Sequence, residues 1–106
     1  MALTVSAEKT NEAFIITLAG SLDASSAPSL ISEVEKAVAD SAKRLVLLVK
    51  DLEYIASAGL RVILFAKQKL GSDADIYVIA PQEAVLHTLE LSGFSQAVIV
   101  ADTYEG

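Results

Sequence analysis

Cysteine and tryptophan are absent from the sequence, and histidine occurs once among its 106 residues. Without cysteine, the chain has no disulfide bond, no thiol nucleophile and no thiolate ligand for a metal. A single histidine excludes zinc or iron sites built from several imidazoles. We therefore expect no metal and no cofactor. At the usual size of domains, residues 1–106 should form one domain.

Basic residues are also scarce, with eight Lys and Arg against fourteen Asp and Glu and a formal net charge of −6. Binding to nucleic acid or to an anionic membrane surface requires clustered cations. Apolar residues make up 53% of the chain. They occur in runs far shorter than the roughly 18 residues of a membrane-spanning helix. We therefore expect a cytoplasmic protein that binds no nucleic acid and inserts into no membrane.

Hydrophobic periodicity predicts alternating strands and helices. Leu3, Val5 and Ala7 alternate with polar residues, which is typical of a half-buried strand. Further strands are predicted at residues 13–19, 45–49, 75–80 and 97–101, and helices are predicted to begin near residues 28, 57 and 81. The order β-β-α-β-α-β-α-β predicts an α/β domain with a mixed sheet covered by helices.

The apolar run at residues 45–49 is typical of a central strand covered on both faces. Gly20 is expected to end the preceding strand, and residues 50–54 are expected to form a loop. Gly71 is well placed to end the second helix.

The segment at residues 55–60 places the hydroxyl of Ser57 where a buried strand passes into a helix. Ligands commonly bind at the carboxyl ends of strands in α/β sheets. Unpaired N–H groups and the helix dipole favour an anion there, including a phosphate on Ser57 itself. Ala58 and Gly59 are too small to shield the hydroxyl. Serine is also among the commonest N-caps, so a purely structural capping role for Ser57 is the alternative.

A second alternative makes Ser57 the nucleophile of a small hydrolase. A strand, a serine and a glycine two residues later form half of a hydrolase elbow. The general base would have to be His87, which is predicted inside the third helix rather than on a loop near Ser57. Nucleophilic catalysis needs the base within hydrogen-bond reach, so the sequence disfavours this interpretation.

The second helix offers a candidate docking surface. Its core-facing stripe is expected to consist of Leu60, Ile63, Leu64 and Leu70. On another side, Val62 and Phe65 beside Arg61 would form a small exposed patch, because aromatic residues and arginine are enriched at interface centres. Alternatively, Val62 and Phe65 pack beneath the third helix. Asp23 is expected to cap a turn or helix, and a contact with a partner stays open.

Four short motifs follow one another along the chain: Gly20-x-Leu22-Asp23, Asp51-Leu52, Ser57-x-Gly59-Leu60 and Leu89-x-Leu91-x-Gly93-Phe94. Together they resemble the STAS domain of bacterial anti-sigma factor antagonists over essentially the whole chain. The resemblance implies phosphorylation at Ser57. With the patch above, it implies that the partner contacts Asp23, Ala56, Ser57, Ala58, Gly59, Arg61, Val62 and Phe65.

The resemblance implies a protein-binding switch without catalysis of its own. Such antagonists bind an anti-sigma factor, often a serine kinase of ATPase fold, and release a sigma factor. Phosphorylation by the kinase ends the interaction, and a serine phosphatase restores it. The family's Asp before the phosphorylated Ser is Ala56 here, and its following Ser or Thr is Ala58. An antagonist that binds without being switched therefore stays open, as does a STAS subunit of a transporter or a multiprotein stress sensor.

Overall fold

The computed structural model describes residues 2–104, which form a five-stranded sheet and three α-helices in the predicted order. The five strands lie side by side in chain order; the first two are antiparallel, and all other neighbours are parallel. The elements are β1 Leu3–Lys9, β2 Phe14–Leu22, α1 Ala27–Ala39, β3 Arg44–Ile55, α2 Ser57–Leu70, β4 Asp75–Ile79, α3 Glu83–Leu91, a 3-10 turn Phe94–Gln96 and β5 Ile99–Ala101.

The described helices cover one face of the sheet. Their buried side chains form a single core with Leu45, Leu47 and Val49 of β3. On the opposite face, Val46 is fully buried in a smaller cluster without helical residues. Tyr104 packs there in a T-shaped contact with another tyrosine of the same cluster, at 5.2 Å between ring centres. The expected cover of β3 thus comes from helices on one side and from neighbouring strands and the C-terminal segment on the other.

Two strands run farther than expected. Gly20 lies inside β2 with a φ of +99°, and the pairing of β2 with β3 shifts register on both sides of it. The expected strand end at Gly20 and the expected loop at residues 50–54 are both wrong. Leu52 and Ile55 remain buried while the charged residues between and before them face solvent, so the extension is a half-exposed strand.

The extension of β2 and β3 builds the corner where α2 begins. Leu22 pairs with Ile55 at the ends of the two strands. The Ala56 N–H donates a hydrogen bond of 2.8 Å to the Leu22 carbonyl, and α2 starts at the next residue. The helix packs against α1 and ends at Gly71, as predicted. Ser57 therefore lies at the carboxyl end of β3, and both β2 and β3 fix the position of the residues before it.

Candidate functional site

Ser57 is exposed and is the first residue of α2. The cap position belongs to Ala56, whose backbone is extended (φ −93°, ψ 173°) and whose methyl group accepts no hydrogen bond. The interpretation that Ser57 caps the helix is therefore wrong. Its side chain is exposed at the surface of the corner.

The backbone at this corner favours a negative charge. The N–H groups of Gly59 and Leu60 donate to the Ala56 carbonyl at 2.9 and 3.1 Å. The N–H groups of Ser57 and Ala58 lie in the first turn, where the helix provides no carbonyl acceptor for them. The positive end of the helix dipole adds to them. The start of α2 thus favours a negative charge on the residue at position 57.

Ala56→Ser should raise the free energy of unfolding by about 1 kcal/mol, because serine caps a helix that alanine leaves uncapped. The Ala56 backbone already has the extended geometry of an N-cap. Urea denaturation measures the difference. Ala39→Ser, at the other end of a helix, is the matched control and should bring no gain. An unchanged or lower stability of Ala56→Ser would contradict the expectation.

Asp23 follows Leu22 at the same corner and caps the turn that leads into α1. Its carboxylate accepts hydrogen bonds from the Ser25 and Ser26 backbone N–H groups at 3.0 and 3.1 Å. It also accepts bonds from the two hydroxyls at 2.8 and 3.1 Å. These bonds, that of the Ser25 hydroxyl foremost, hold the pKa of the Asp23 carboxyl below its ordinary value. The capping role expected from the sequence is present, and a partner contact by Asp23 remains a proposal.

The lowered pKa of Asp23 makes a pH-dependent contribution to stability. A carboxyl with a lower pKa in the folded state stabilises the fold above its unfolded pKa, and this contribution disappears as the pH falls through the folded pKa. Between pH 5 and about pH 2.5, the free energy of unfolding of wild type should therefore fall by more than that of Asp23→Asn. Parallel urea titrations measure both. Equal losses would show that the hydrogen bonds in this turn do not favour the ionised form.

The exposed face of α2 differs from the one expected. Val62 is only 3% exposed, whereas Leu64 is 43% exposed, so the predicted Val62–Phe65 docking patch and the inward position of Leu64 are wrong. Ser57, Arg61, Leu64 and Gln68, spaced four, three and four residues apart, are exposed along one side. We call these four residues the outer stripe.

The rotation of α2 follows from its smallest residues. Gly59 and Ala66 are buried on the side of Val62, where they let the helix approach its neighbours closely. At Gly59, an added Cβ would lie 2.7 Å from Leu22 Cγ and 2.9 Å from Ile55 Cγ1. Gly59 is therefore a packing residue of the corner rather than part of its surface.

The remaining predicted contact residues lie beside the outer stripe. Ala56 and Ala58 are half-buried at the start of α2. Phe65 is half-buried against the core, and the Lys69 ammonium lies 6.0 Å from the centre of its ring. Among these predicted contact residues, Ser57 and Arg61 are therefore exposed, and Phe65 is half-buried beside the outer stripe.

Sequence reasoning missed Leu64, Gln68 and Tyr54 as surface residues. Leu64 and Gln68 are seven and eleven residues after Ser57, a helical spacing that marks the same face. Tyr54 is 53% exposed near the end of β3, three residues before Ser57. A loop, as expected at residues 50–54, has no defined face to which Tyr54 could be assigned.

The hydrolase alternative gains no support from the geometry. His87 lies on the exposed side of α3, in a groove that Glu83, Ala84, Leu86 and Glu90 line within the described part of the chain, and Ser57 is not among them. Residues 2–104 contain no group of three acidic or histidine side chains placed to hold a metal ion. Over the same residues, every helix is too short or too polar to cross a bilayer.

Known proteins match this chain over nearly its whole length. The family model for the STAS domain covers residues 4–106. BtrV of Bordetella bronchiseptica, described as a candidate anti-sigma factor antagonist, is 32% identical over 99 residues, 92% of this chain and 85% of BtrV.

Solved structures show the same architecture. An anti-sigma factor antagonist from Mycobacterium paratuberculosis superposes with a TM-score of 0.87 at 25% identity, covering 96% of this chain and 87% of that one. The antagonist SpoIIAA in its unphosphorylated form gives 0.76 at 16% identity, over 95% of this chain and 90% of SpoIIAA. Its phosphorylated form, from Bacillus, gives 0.73 at 18% identity over 92% and 91%.

Proposed function

The chain belongs to the STAS domain family, and from this premise we propose that it is an anti-sigma factor antagonist. It binds an anti-sigma factor through the outer stripe of α2 and is switched off by phosphorylation at Ser57. The observation that carries the proposal is the exposed Ser57 at the first turn of a helix whose outer stripe is exposed.

The described functions of the relatives support this proposal. BtrV, over nearly its full length, and the Mycobacterium paratuberculosis protein are both described as antagonists of anti-sigma factors. SpoIIAA has been solved with and without phosphate in one fold. The fold therefore accommodates the modification, as the open helix start around Ser57 suggests for this chain.

The physical basis of the switch is a charge placed in the contact surface. A phosphoryl group adds about −1.5 to −2 charges and three acceptor oxygens. In the free protein, water and the N–H groups of Ser57 and Ala58 solvate it. In a closely packed complex it must lose that water, and an unpaired buried charge costs several kcal/mol. A thousandfold loss of affinity needs only about 4 kcal/mol.

The partners follow from the same site. The anti-sigma factor is a serine kinase of ATPase fold, which reaches the exposed Ser57 while bound to the outer stripe. A serine phosphatase removes the phosphate and restores binding. The protein itself catalyses no reaction and acts in the cytoplasm, where these partners operate.

Capture from native cells tests the proposal. Tagged wild type should retain an ATPase-fold kinase, and Leu64→Asp should not, because it places a charge in the middle of the outer stripe. Ile99→Asp is the matched control, since Ile99 on β5 is 42% exposed and Leu64 is 43% exposed. Recovery of a transporter ATPase instead, or equal capture by both variants, would contradict the proposal.

The captured kinase then tests the modification. Incubation with ATP should add about 80 Da, one phosphoryl group, to wild type and nothing to Ser57→Ala. Intact-mass spectrometry reads both. A bound kinase that leaves wild type unmodified would identify an antagonist that binds without being switched.

A further inference from the structure

Helix α2 is a basic element on an acidic protein. It carries three of the eight basic residues, Arg61, Lys67 and Lys69, and none of the fourteen acidic residues. By contrast, acids outnumber bases on both α1 and α3. The chain as a whole has a net charge of −6. The positive charge is therefore concentrated on the helix that begins at Ser57.

Of the three basic residues on α2, Arg61 is the nearest to Ser57 in the sequence. It is exposed on the outer stripe, one helical turn after Ser57 and beside Leu64. Residues four apart on a helix have side chains within reach of each other. The ion pairs found among residues 2–104 leave Arg61 out; they join Lys9 to Asp40, Lys36 to Glu33 and Arg44 to Glu12.

Resting on the proposed function, we propose that the partner meets the outer stripe with an acidic surface and that Arg61 is the cation it binds. We further propose that a phosphate on Ser57 ends binding by pairing with Arg61 of the same helix. The occupant of the stripe is thus a protein with carboxylates facing Arg61 and an apolar contact for Leu64.

Phosphorylation changes both sides of this recognition at once. The phosphate forms charge-assisted hydrogen bonds with the guanidinium four residues away, so Arg61 is no longer available to the partner. The remaining negative charge then faces the partner's carboxylates. Ala56 and Ala58 carry no charge, so no acid directly beside Ser57 competes for Arg61.

Phosphorus NMR tests the pairing without any partner. Protein carrying phosphoserine at position 57 is titrated through the second ionisation of the phosphate, near pH 6. Because a cation favours the dianion, the phosphate pKa should rise by about 0.3 units or more in Arg61→Gln. Lys69→Gln, which removes the same charge about three turns after Ser57, is the matched control and should leave the phosphate pKa unchanged. Equal values in all three proteins would overturn the pairing.

Other ionisable groups on the strands that end at this corner and on the helix beside α2 are constant across these variants. They are Asp23 after β2, Glu53 and Tyr54 near the end of β3, and Glu33 and Glu35 on α1, which packs against α2. Their acids raise the phosphate pKa equally in every protein compared. The difference between Arg61→Gln and Lys69→Gln therefore reports the pairing with Arg61 alone.

The captured anti-sigma factor tests the acidic surface. Arg61→Glu should lower the affinity by at least about tenfold, since it sets like charges against each other. Lys43→Glu makes the same charge change before β3, at the opposite end from Ser57, and should stay within about twofold. Equal affinities of Arg61→Glu and wild type would overturn the acidic surface. Failure to capture any anti-sigma factor would instead contradict the proposed function, and the phosphorus titration would still decide the pairing.

Discussion

Ser57→Asp should bind the anti-sigma factor at least about 100-fold more weakly than wild type, a loss of about 2.7 kcal/mol. The same change should leave the free energy of unfolding within about 1 kcal/mol, because an acid in the first turn of a helix is favourable. Ser57 is exposed in the free protein and has no core contact to lose. The binding loss arises because the new charge is removed from water only in the complex.

Isothermal titration calorimetry measures the affinity, and urea denaturation measures the stability. Ser57→Asn is the control, since it matches aspartate in size and shape without the charge. It should lose at most about tenfold, the range of an imperfect polar contact. If Ser57→Asn binds as weakly as Ser57→Asp, steric fit rather than charge controls the interaction. Full affinity in Ser57→Asp would contradict the switch and leave the binding function standing.

Gly59→Ala should destabilise the protein by about 1–3 kcal/mol, although alanine is the better helix former. The new Cβ would lie 2.7 and 2.8 Å from Leu22 Cγ and Cδ2 and 2.9 Å from Ile55 Cγ1. Leu22 is fully buried, so it cannot swing into solvent to make room. The corner that presents Ser57 must then shift, or Leu22 must leave its preferred rotamer.

A double-mutant cycle with Leu22→Ala isolates this contact. Leu22→Ala alone should cost about 2–5 kcal/mol, as expected for a fully buried leucine. In that background, Gly59→Ala should cost clearly less than it does in wild type, because the two Leu22 atoms are gone and only Ile55 Cγ1, at 2.9 Å, still crowds the new Cβ. Chemical denaturation of the four proteins gives the coupling. Additive losses would show that Leu22 does not limit the space at position 59.

Local sequence patterns were sufficient for the order of the elements and for the position of Ser57 at a helix start. Alternation and apolar runs located all five strands, and the strand-to-helix change at Ile55 and Ser57 located the start of α2. Gly71 marked its end. These features depend on hydrogen bonding and side-chain periodicity within a few residues, so the sequence carries them directly.

The surface of the site depended on contacts that are distant in the sequence. Helix α2 is apolar around most of its circumference, so periodicity alone allowed either Val62 or Leu64 to face inward. Close packing of Gly59 on Leu22 and the contact of α2 with α1 decided for Val62. The charged extension of β3 was likewise fixed only by pairing with β2.

A serine that begins a helix at the end of a buried strand, and Arg61 one turn later on that helix, are thus predictable from local sequence. That Leu64, and not Val62, shares the exposed side with Ser57 depends instead on contacts between elements. The physical reason is that the rotation of a helix is set by which of its faces packs most closely against the elements beside it.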